Sequence, residues 1–140
     1  MRFEKHCWAE IDLDALLNNY RFIRRTVGGD VCAVLKADAY GHGALAVADA
    51  LRAAGCAAFA VSCLAEAREL RRHGLTEPLL ILGYTDPAFA DELAALDITQ
   101  TLFSSEYAAA LSAAATAANC TVACHLKADT GMGRIGFALR

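Results

Sequence analysis

The chain has 140 residues, a formal charge of −3 and an isoelectric point near 5.7, a balance that gives no electrostatic case for binding nucleic acid. Hydrophobic residues reach 56%, but much of that is alanine, as in AAALSAAATAA, and no window approaches about 18 consecutive strongly apolar residues, so no transmembrane span is expected. The start, MRFEKHCWAEID, has no apolar stretch of the kind a secretory signal needs, and a cytoplasmic location follows by default.

In chain order, CWAEID (7–12) alternates apolar and acidic positions and reads as a short strand outside the main series, which divides the sequence into a segment 1–12 and a body 13–140. From Asp12 to Val27 the apolar positions Leu13, Leu16, Leu17, Tyr20, Ile23 and Val27 recur at helical spacing, with Asp12 as N-cap and Gly28-Gly29 as the stop. VCAVLKA (31–37) is a continuous apolar run, the pattern of a strand buried on both faces. Gly41 to Gly43 lead into the helix ALAVADALRAAG, followed by strand AAFAVS, helix CLAEARELRRHG and strand PLLILGY. DPAFADELAALD is the next helix, with Asp86 capping and Pro87 in its first turn. Strand ITQTLFS, helix SEYAAALSAAATAAN and strand VACHLKAD complete five strands separated by four helices.

Strict alternation predicts parallel strands with crossover helices, as an open doubly wound sheet or as a (β/α)8 barrel. A closed barrel takes about 250 residues, so on the barrel reading these strands form an incomplete arc.

Six cysteines, Cys7, Cys32, Cys56, Cys63, Cys120 and Cys124, form no C-x-x-C pair. Cys120 and Cys124 flank a strand-like stretch, roughly 13 Å apart at about 3.3 Å per residue, too far for a shared bond or zinc ion. Reduced and mostly buried thiols are expected. Arg68, Arg71, Arg72 and His73 lie in a helical pattern and read as a solvated face. His6, His42, His73 and His125 have no metal-ligand spacing, so no metal is assigned, and His42 between glycines reads as a turn residue.

The tetrapeptide LKAD occurs twice, and each time an apolar run delivers a lysine to a strand's carboxyl end, where catalytic groups sit on α/β folds. Lys36 follows Val31 to Leu35, and an amine partly desolvated in this way has a lowered pKa and an accessible nucleophilic form, as Schiff-base chemistry requires. A lysine snorkelling to water is the alternative. AYGHG favours the first reading, because an aromatic hydroxyl and a flexible backbone beyond Lys36 can hold an anionic group. Lys127 and Arg134 are two cations that call for a negative partner: a ligand phosphate, a carboxylate or a modified lysine. Simple pairing of Lys127 with Asp129 or another acid at the strand ends is the competing explanation. GMGRIG (131–136) spells G-x-G-x-x-G after a predicted strand, but a dinucleotide turn needs a following helix, a further strand and an acidic residue about 20 positions on, whereas the sequence runs only to Arg140.

WAEIDLDALLNNY, AVLKADAYGHGA, VSCLAEARELRRHG and HLKADTGMGRIGF resemble, in order and spacing, the amino-terminal part of bacterial alanine racemases, and the resemblance covers essentially the whole chain. It implies a (β/α)8 barrel of the pyridoxal-phosphate-binding class, followed by a mostly β domain with which segment 1–12 pairs, working as a homodimer. By position, Lys36 resembles the lysine that carries pyridoxal 5'-phosphate as a Schiff base and exchanges the substrate α-proton. Tyr40 resembles the tyrosine at the cofactor phosphate. Arg134 resembles the arginine near the cofactor's phenolic oxygen and the substrate carboxylate, and Lys127 the lysine that many members carbamylate. The implied activity is interconversion of L- and D-alanine, supplying D-alanine for peptidoglycan. A second base, a tyrosine of the other subunit, matches no motif here, so the chain by itself is expected to be inactive and, with open sheet edges, prone to associate. A serine or broad-specificity racemase of the same family and a non-catalytic pyridoxal-phosphate carrier are the alternatives.

Overall fold

Parallel strands cannot be joined by tight turns, so each must be followed by a crossover that returns the chain to the amino end of the sheet. The computed structural model, which describes residues 7–138, has that form throughout. Helix α1 (Leu13–Val27) precedes strand β1 (Cys32–Val34), and a short helical segment α2 (Lys36–Gly41) and helix α3 (Ala44–Ala53) lead to β2 (Ala58–Val61). Helix α4 (Leu64–Arg72) leads to β3 (Leu79–Ile81). A 3₁₀ turn (Pro87–Phe89) and α5 (Ala90–Ala95) lead to β4 (Ile98–Leu102), and α6 (Ser105–Ala117) to β5 (Cys124–Leu126). Two short strands, β6 (Ala128–Asp129) and β7 (Phe137–Ala138), form a separate parallel pair.

The five main strands lie in the order β1-β2-β3-β4-β5, every neighbouring pair parallel. Sequence order equals spatial order, whereas a doubly wound sheet reverses direction partway. The chain is therefore the first five strands of a (β/α)8-type barrel, and the sheet is not closed.

The helix boundaries follow the expected chemistry. The Asp12 carboxylate accepts the Ala15 N–H at 2.9 Å, and Gly28 ends α1 in the left-handed region at φ +65°. Asp86 accepts from Ala88 N–H ahead of the 3₁₀ turn, and Ser104 accepts from Tyr107 N–H to start α6. The core lies between sheet and helices, where Phe59, Ile81, Leu79 and Ile98 of the strands meet Ala48, Ala67, Leu70 and Leu93 of the helices, all at most 1% exposed.

Several expectations are overturned, most of them for one reason. Cys32 and Val34 are exposed although the run 31–37 reads as a strand buried on both faces. Strand alternation puts both on the face away from the helices, which no opposing strand covers. Ile23 and Val27, on the apolar stripe of α1, are 48% and 62% exposed. Of the cysteines only Cys56 is buried, while Cys7, Cys32 and Cys124 are exposed, and none is bonded to another. Apart from these differences, residues 7–12 carry no strand, and residues 1–6 of the same segment lie outside the described part.

The basic group on α4 is more than a solvated face. Arg68 makes a bidentate pair with Glu92 at 2.6 and 2.5 Å, which holds the Glu92 carboxyl below the usual carboxylate range. The half-buried Arg71 donates to the carbonyls of Leu75, Glu77, Leu96 and Asp97, tying together the turns that enter β3 and β4. His73 meets Asp49 at 2.8 Å. Among the described residues no helix is long and apolar enough to cross a membrane. Phe59, in mid-strand and 0% exposed, is the most telling core position: Phe59→Ala is expected to cost about 3–5 kcal/mol, read as a lower midpoint in urea unfolding.

Candidate active site

In a parallel sheet every strand presents its carboxyl end to the same rim, and loops at that rim hold side chains over a shared space. Lys36 emerges there from β1. The strand pairing ends with Leu35, whose N–H donates to the Ala60 carbonyl at 2.8 Å. The chain then turns in a way its sequence does not announce. Ala37, Asp38, Ala39 and Tyr40 all have left-handed backbone angles, φ between 51° and 56°. Each such non-glycine residue costs about 1–2 kcal/mol relative to the right-handed form, so the turn persists only where its surroundings over-determine it.

Those surroundings are specific. Ala39 N–H donates to the Leu35 carbonyl at 2.8 Å and Gly43 N–H to the Asp38 carbonyl at 3.0 Å. The Asp38 carboxylate accepts from Ala44 N–H at 2.6 Å and so starts α3, while His42 Nδ1 lies 2.9 Å from the Ala39 carbonyl. His42 is thus the turn residue its glycine neighbours suggest. The flexible glycine backbone expected around AYGHG is instead a hydrogen-bonded, strained turn.

This turn sets the relation between two predicted site residues. Lys36 Nζ stands 5.7 Å from the centre of the Tyr40 ring, within cation–π range, with Lys36 half-buried and Tyr40 63% exposed. An amine and a phenol therefore share one patch of rim.

Lys127 and Arg134 occupy the far edge of the arc. Lys127 follows β5 and its N–H donates to the Leu102 carbonyl at 2.9 Å. The chain then runs through the glycines into β7, not into a helix, and Phe137 N–H returns to the Lys127 carbonyl at 2.7 Å. Asp129 organises the loop by accepting from Gly131 and Gly133 N–H, both at 3.0 Å. Those two bonds, with a weaker contribution from the Lys127 charge, hold its carboxyl below the usual aspartate range. Among the described residues Lys127 makes no ion pair within 4 Å with Asp129, and the exposed Arg134 guanidinium has no ion pair or hydrogen bond.

Lys36 and Lys127 share the rim on the first and fifth strands, about 19 Å apart measured along the sheet at about 4.8 Å per strand, a path that is longer than the span across a curved arc. Lys36 stands beside Tyr40, and Lys127 beside the Arg134 loop.

Two groups at the rim escaped the sequence reading. Glu66, in the first turn of α4, accepts from Ala37 N–H at 2.8 Å and from Ser62 N–H and Oγ at 2.7 and 2.8 Å. Partial burial raises its pKa, but these bonds and one from Cys63 N–H outweigh that and leave the carboxyl below the usual glutamate range. The only sequence signal was its position three residues after a helix N-cap. Beyond β3 and β4, Phe103 stacks on Tyr107 with ring centres 4.6 Å apart, and the 58% exposed Tyr84 leans on both rings. Tyr107 donates to the Thr85 carbonyl at 2.8 Å, and burial pushes its hydroxyl up to about 12. Among the described residues no group of three His, Cys, Asp or Glu side chains is arranged to hold a metal ion.

An arc of (β/α)8-type barrel with a lysine on a strained turn at the end of its first strand defines a class of enzyme-like scaffold. The family is then decided by comparison. The family profile described as "Alanine racemase, N-terminal domain" matches residues 11–140, and the chain belongs to that family. It is 49% identical over 131 residues to the alanine racemase of Clostridium perfringens, covering 93% of this chain and 34% of that protein. The solved alanine racemase of Clostridium difficile 630 superposes with a TM-score of 0.85 at 41% identity, over 94% of this chain and 35% of that one. A histidine racemase from Leuconostoc mesenteroides superposes with the same TM-score at 33% identity, over 90% of this chain and 34% of that one. The chain thus spans about a third of the length of the relatives it matches.

Two outcomes are expected in the Arg134 loop. A Cβ on Gly136 would meet Asp129 N at 2.9 Å and Lys127 O at 3.0 Å, at φ +138°, so Gly136→Ala is expected to break the β6–β7 pairing, seen as faster amide exchange at Phe137. Because the folded pKa of Asp129 is depressed, its turn is at full strength above the ordinary aspartate value of about 3.9. It weakens as pH falls through the lower folded value. Exchange protection of Gly133 N–H, followed downward from neutral pH, should drop there and not before.

Proposed function

We propose that the protein carrying this chain is a pyridoxal-phosphate-dependent amino-acid racemase acting on alanine. The observation that carries the reading is the pairing of Lys36 Nζ with the Tyr40 ring, 5.7 Å away, on a strained turn at the end of β1 in a chain of this family. The donor set suits the cofactor: a primary amine for its aldehyde, a phenol for its phosphate, and a guanidinium for an anionic oxygen. Bound there, the cofactor supplies an electron-accepting ring that stabilises the charge left when the substrate loses its α-proton.

The chain's own residues do the rest. Lys36 would hold the cofactor covalently through Nζ and, once the substrate amine has taken its place, would act as a free amine that takes or returns the α-proton on one face of the substrate. Tyr40 donates its hydroxyl proton to a phosphate oxygen and holds that end of the cofactor against the rim. Arg134 binds the substrate carboxylate, a bidentate role suited to its planar fork. In this reading Lys127 is carbamylated, which turns a cation that repels Arg134 into an anion that orients it. Racemisation also needs a proton donor on the opposite face, assigned here to a tyrosine of a partner subunit in a homodimer. A cytoplasmic role in making D-alanine for peptidoglycan, and inactivity of these 140 residues by themselves, belong to the same proposal.

A racemase of another amino acid is the second reading, favoured by the histidine racemase likeness at a TM-score of 0.85. The test is reduction with borohydride of the full protein loaded with pyridoxal phosphate, peptide mapping of the adduct, and polarimetry with L-alanine and with L-histidine. The expected adduct lies on Lys36, and Lys36→Ala should abolish it and slow alanine racemisation by about 10²- to 10⁴-fold or more. An adduct elsewhere, or none, would sink the cofactor reading, while turnover of histidine alone would replace alanine as substrate.

A further inference from the structure

The left-handed turn is tied to the rest of the rim by one carboxylate. Glu66 Oε1 accepts from Ala37 N–H at 2.8 Å, and Oε2 accepts from Ser62 N–H and Oγ. Ala37 N–H belongs to the peptide that leaves Lys36, so holding it sets the ψ of Lys36 and with it the direction of the Lys36 side chain. Ser62 is a firm anchor. A Cβ on Gly83 would lie 2.5 Å from the Ser62 carbonyl oxygen, so the ends of β2 and β3 press together there. The fully buried Gln100 in turn donates from Nε2 to the Gly83 carbonyl at 2.8 Å. The contacts thus run from the Lys36 turn across the ends of β2 and β3 to the middle of β4.

A glutamate at the third position of a helix commonly reaches back only to its own N-cap. Here the N-cap of α4 is Cys63, which makes no side-chain cap bond, and Glu66, besides accepting from Cys63 N–H, reaches a turn 29 residues earlier in the chain. That reach is more than α4 itself requires, and it lands on the first left-handed residue.

We propose that Glu66 is a positioning residue for Lys36, clamping the turn's first peptide to the end of β2 so that the amine is presented to the cofactor in one orientation. The proposal rests on Lys36 being the cofactor lysine. A glutamine would keep the volume, and because its single acceptor oxygen is held by the two Ser62 donors, its NH₂ faces the Ala37 N–H, so Glu66→Gln releases the Ala37 side of the clamp.

The experiment compares the full protein with E66Q and with E92Q, a control that breaks the Arg68 pair away from the rim. In E66Q, exchange of Ala37 N–H should rise about tenfold or more and be unchanged in E92Q. With pyridoxal phosphate bound, E66Q should lower kcat about tenfold or more at similar KM and slow formation of the borohydride-trapped Lys36 adduct by a similar factor. Both variants should shift the thermal midpoint comparably. Unchanged Ala37 exchange in E66Q overturns the clamp, and faster exchange with adduct formation at the wild-type rate overturns the positioning role. If the wild type itself forms no Lys36 adduct, the cofactor reading falls and takes the positioning role with it, and the exchange comparison still decides whether Glu66 holds the turn.

Discussion

Four consecutive left-handed residues after Lys36 are the constraint on which the rim depends. A single left-handed alanine is unfavourable, and a run of them is tolerated only under tight restraint. Each restraint here does a second job. The Asp38 carboxylate that holds the turn also starts α3, and the Glu66 carboxylate that holds its first peptide also fixes the end of β2. Strain at the lysine is thereby balanced by bonds that organise the first two βα units. The same geometry brings the Tyr40 ring beside Lys36, which an extended strand continuing through residue 37 would not do.

The sheet is asymmetric in a way that carries the chemistry. Its helix-covered face is dry, with Phe59, Leu79, Ile81 and Ile98 almost entirely buried. Its other face is exposed at the two edge strands, at Cys32 and Val34 on β1 and His125 on β5, while Ala60 and Thr101 between them are buried. Strand parity sends residues two apart to the same face, so the lysine that follows His125 by two positions leaves β5 on the open side. Among the exposed apolar groups are Val34 on that face and Ile23 and Val27 on α1.

The far edge works on a different principle. The Arg134 loop depends on glycines that let backbone approach backbone, as at Gly136, and on the Asp129 carboxylate gathering two amides. The G-x-G-x-x-G spacing of GMGRIG arises from that loop, which leads to a strand. Its glycines answer steric demands of a turn and not the close approach of a dinucleotide phosphate.

The sequence by itself determined the order and kind of the main elements, the carboxyl-end placement of Lys36 and Lys127, and, through LKADAYGHG and KADTGMGRIGF, the family. These are local properties. Apolar period, capping side chains such as Asp12, Asp86 and Ser104, and glycine stops act within a few residues and survive in a one-dimensional reading. Tertiary structure alone decided which apolar residues are covered, because burial of Val34 or Val27 depends on neighbours distant in sequence. It alone gave Arg71 its four carbonyl partners and turned residues 37–40 left-handed, since no propensity favours that conformation for a run containing two alanines and a tyrosine. Glu66 belongs with these: its bond to Ala37 N–H spans 29 residues, and only the parallel alignment of β1 beside β2 brings that carboxylate to the peptide beyond Lys36.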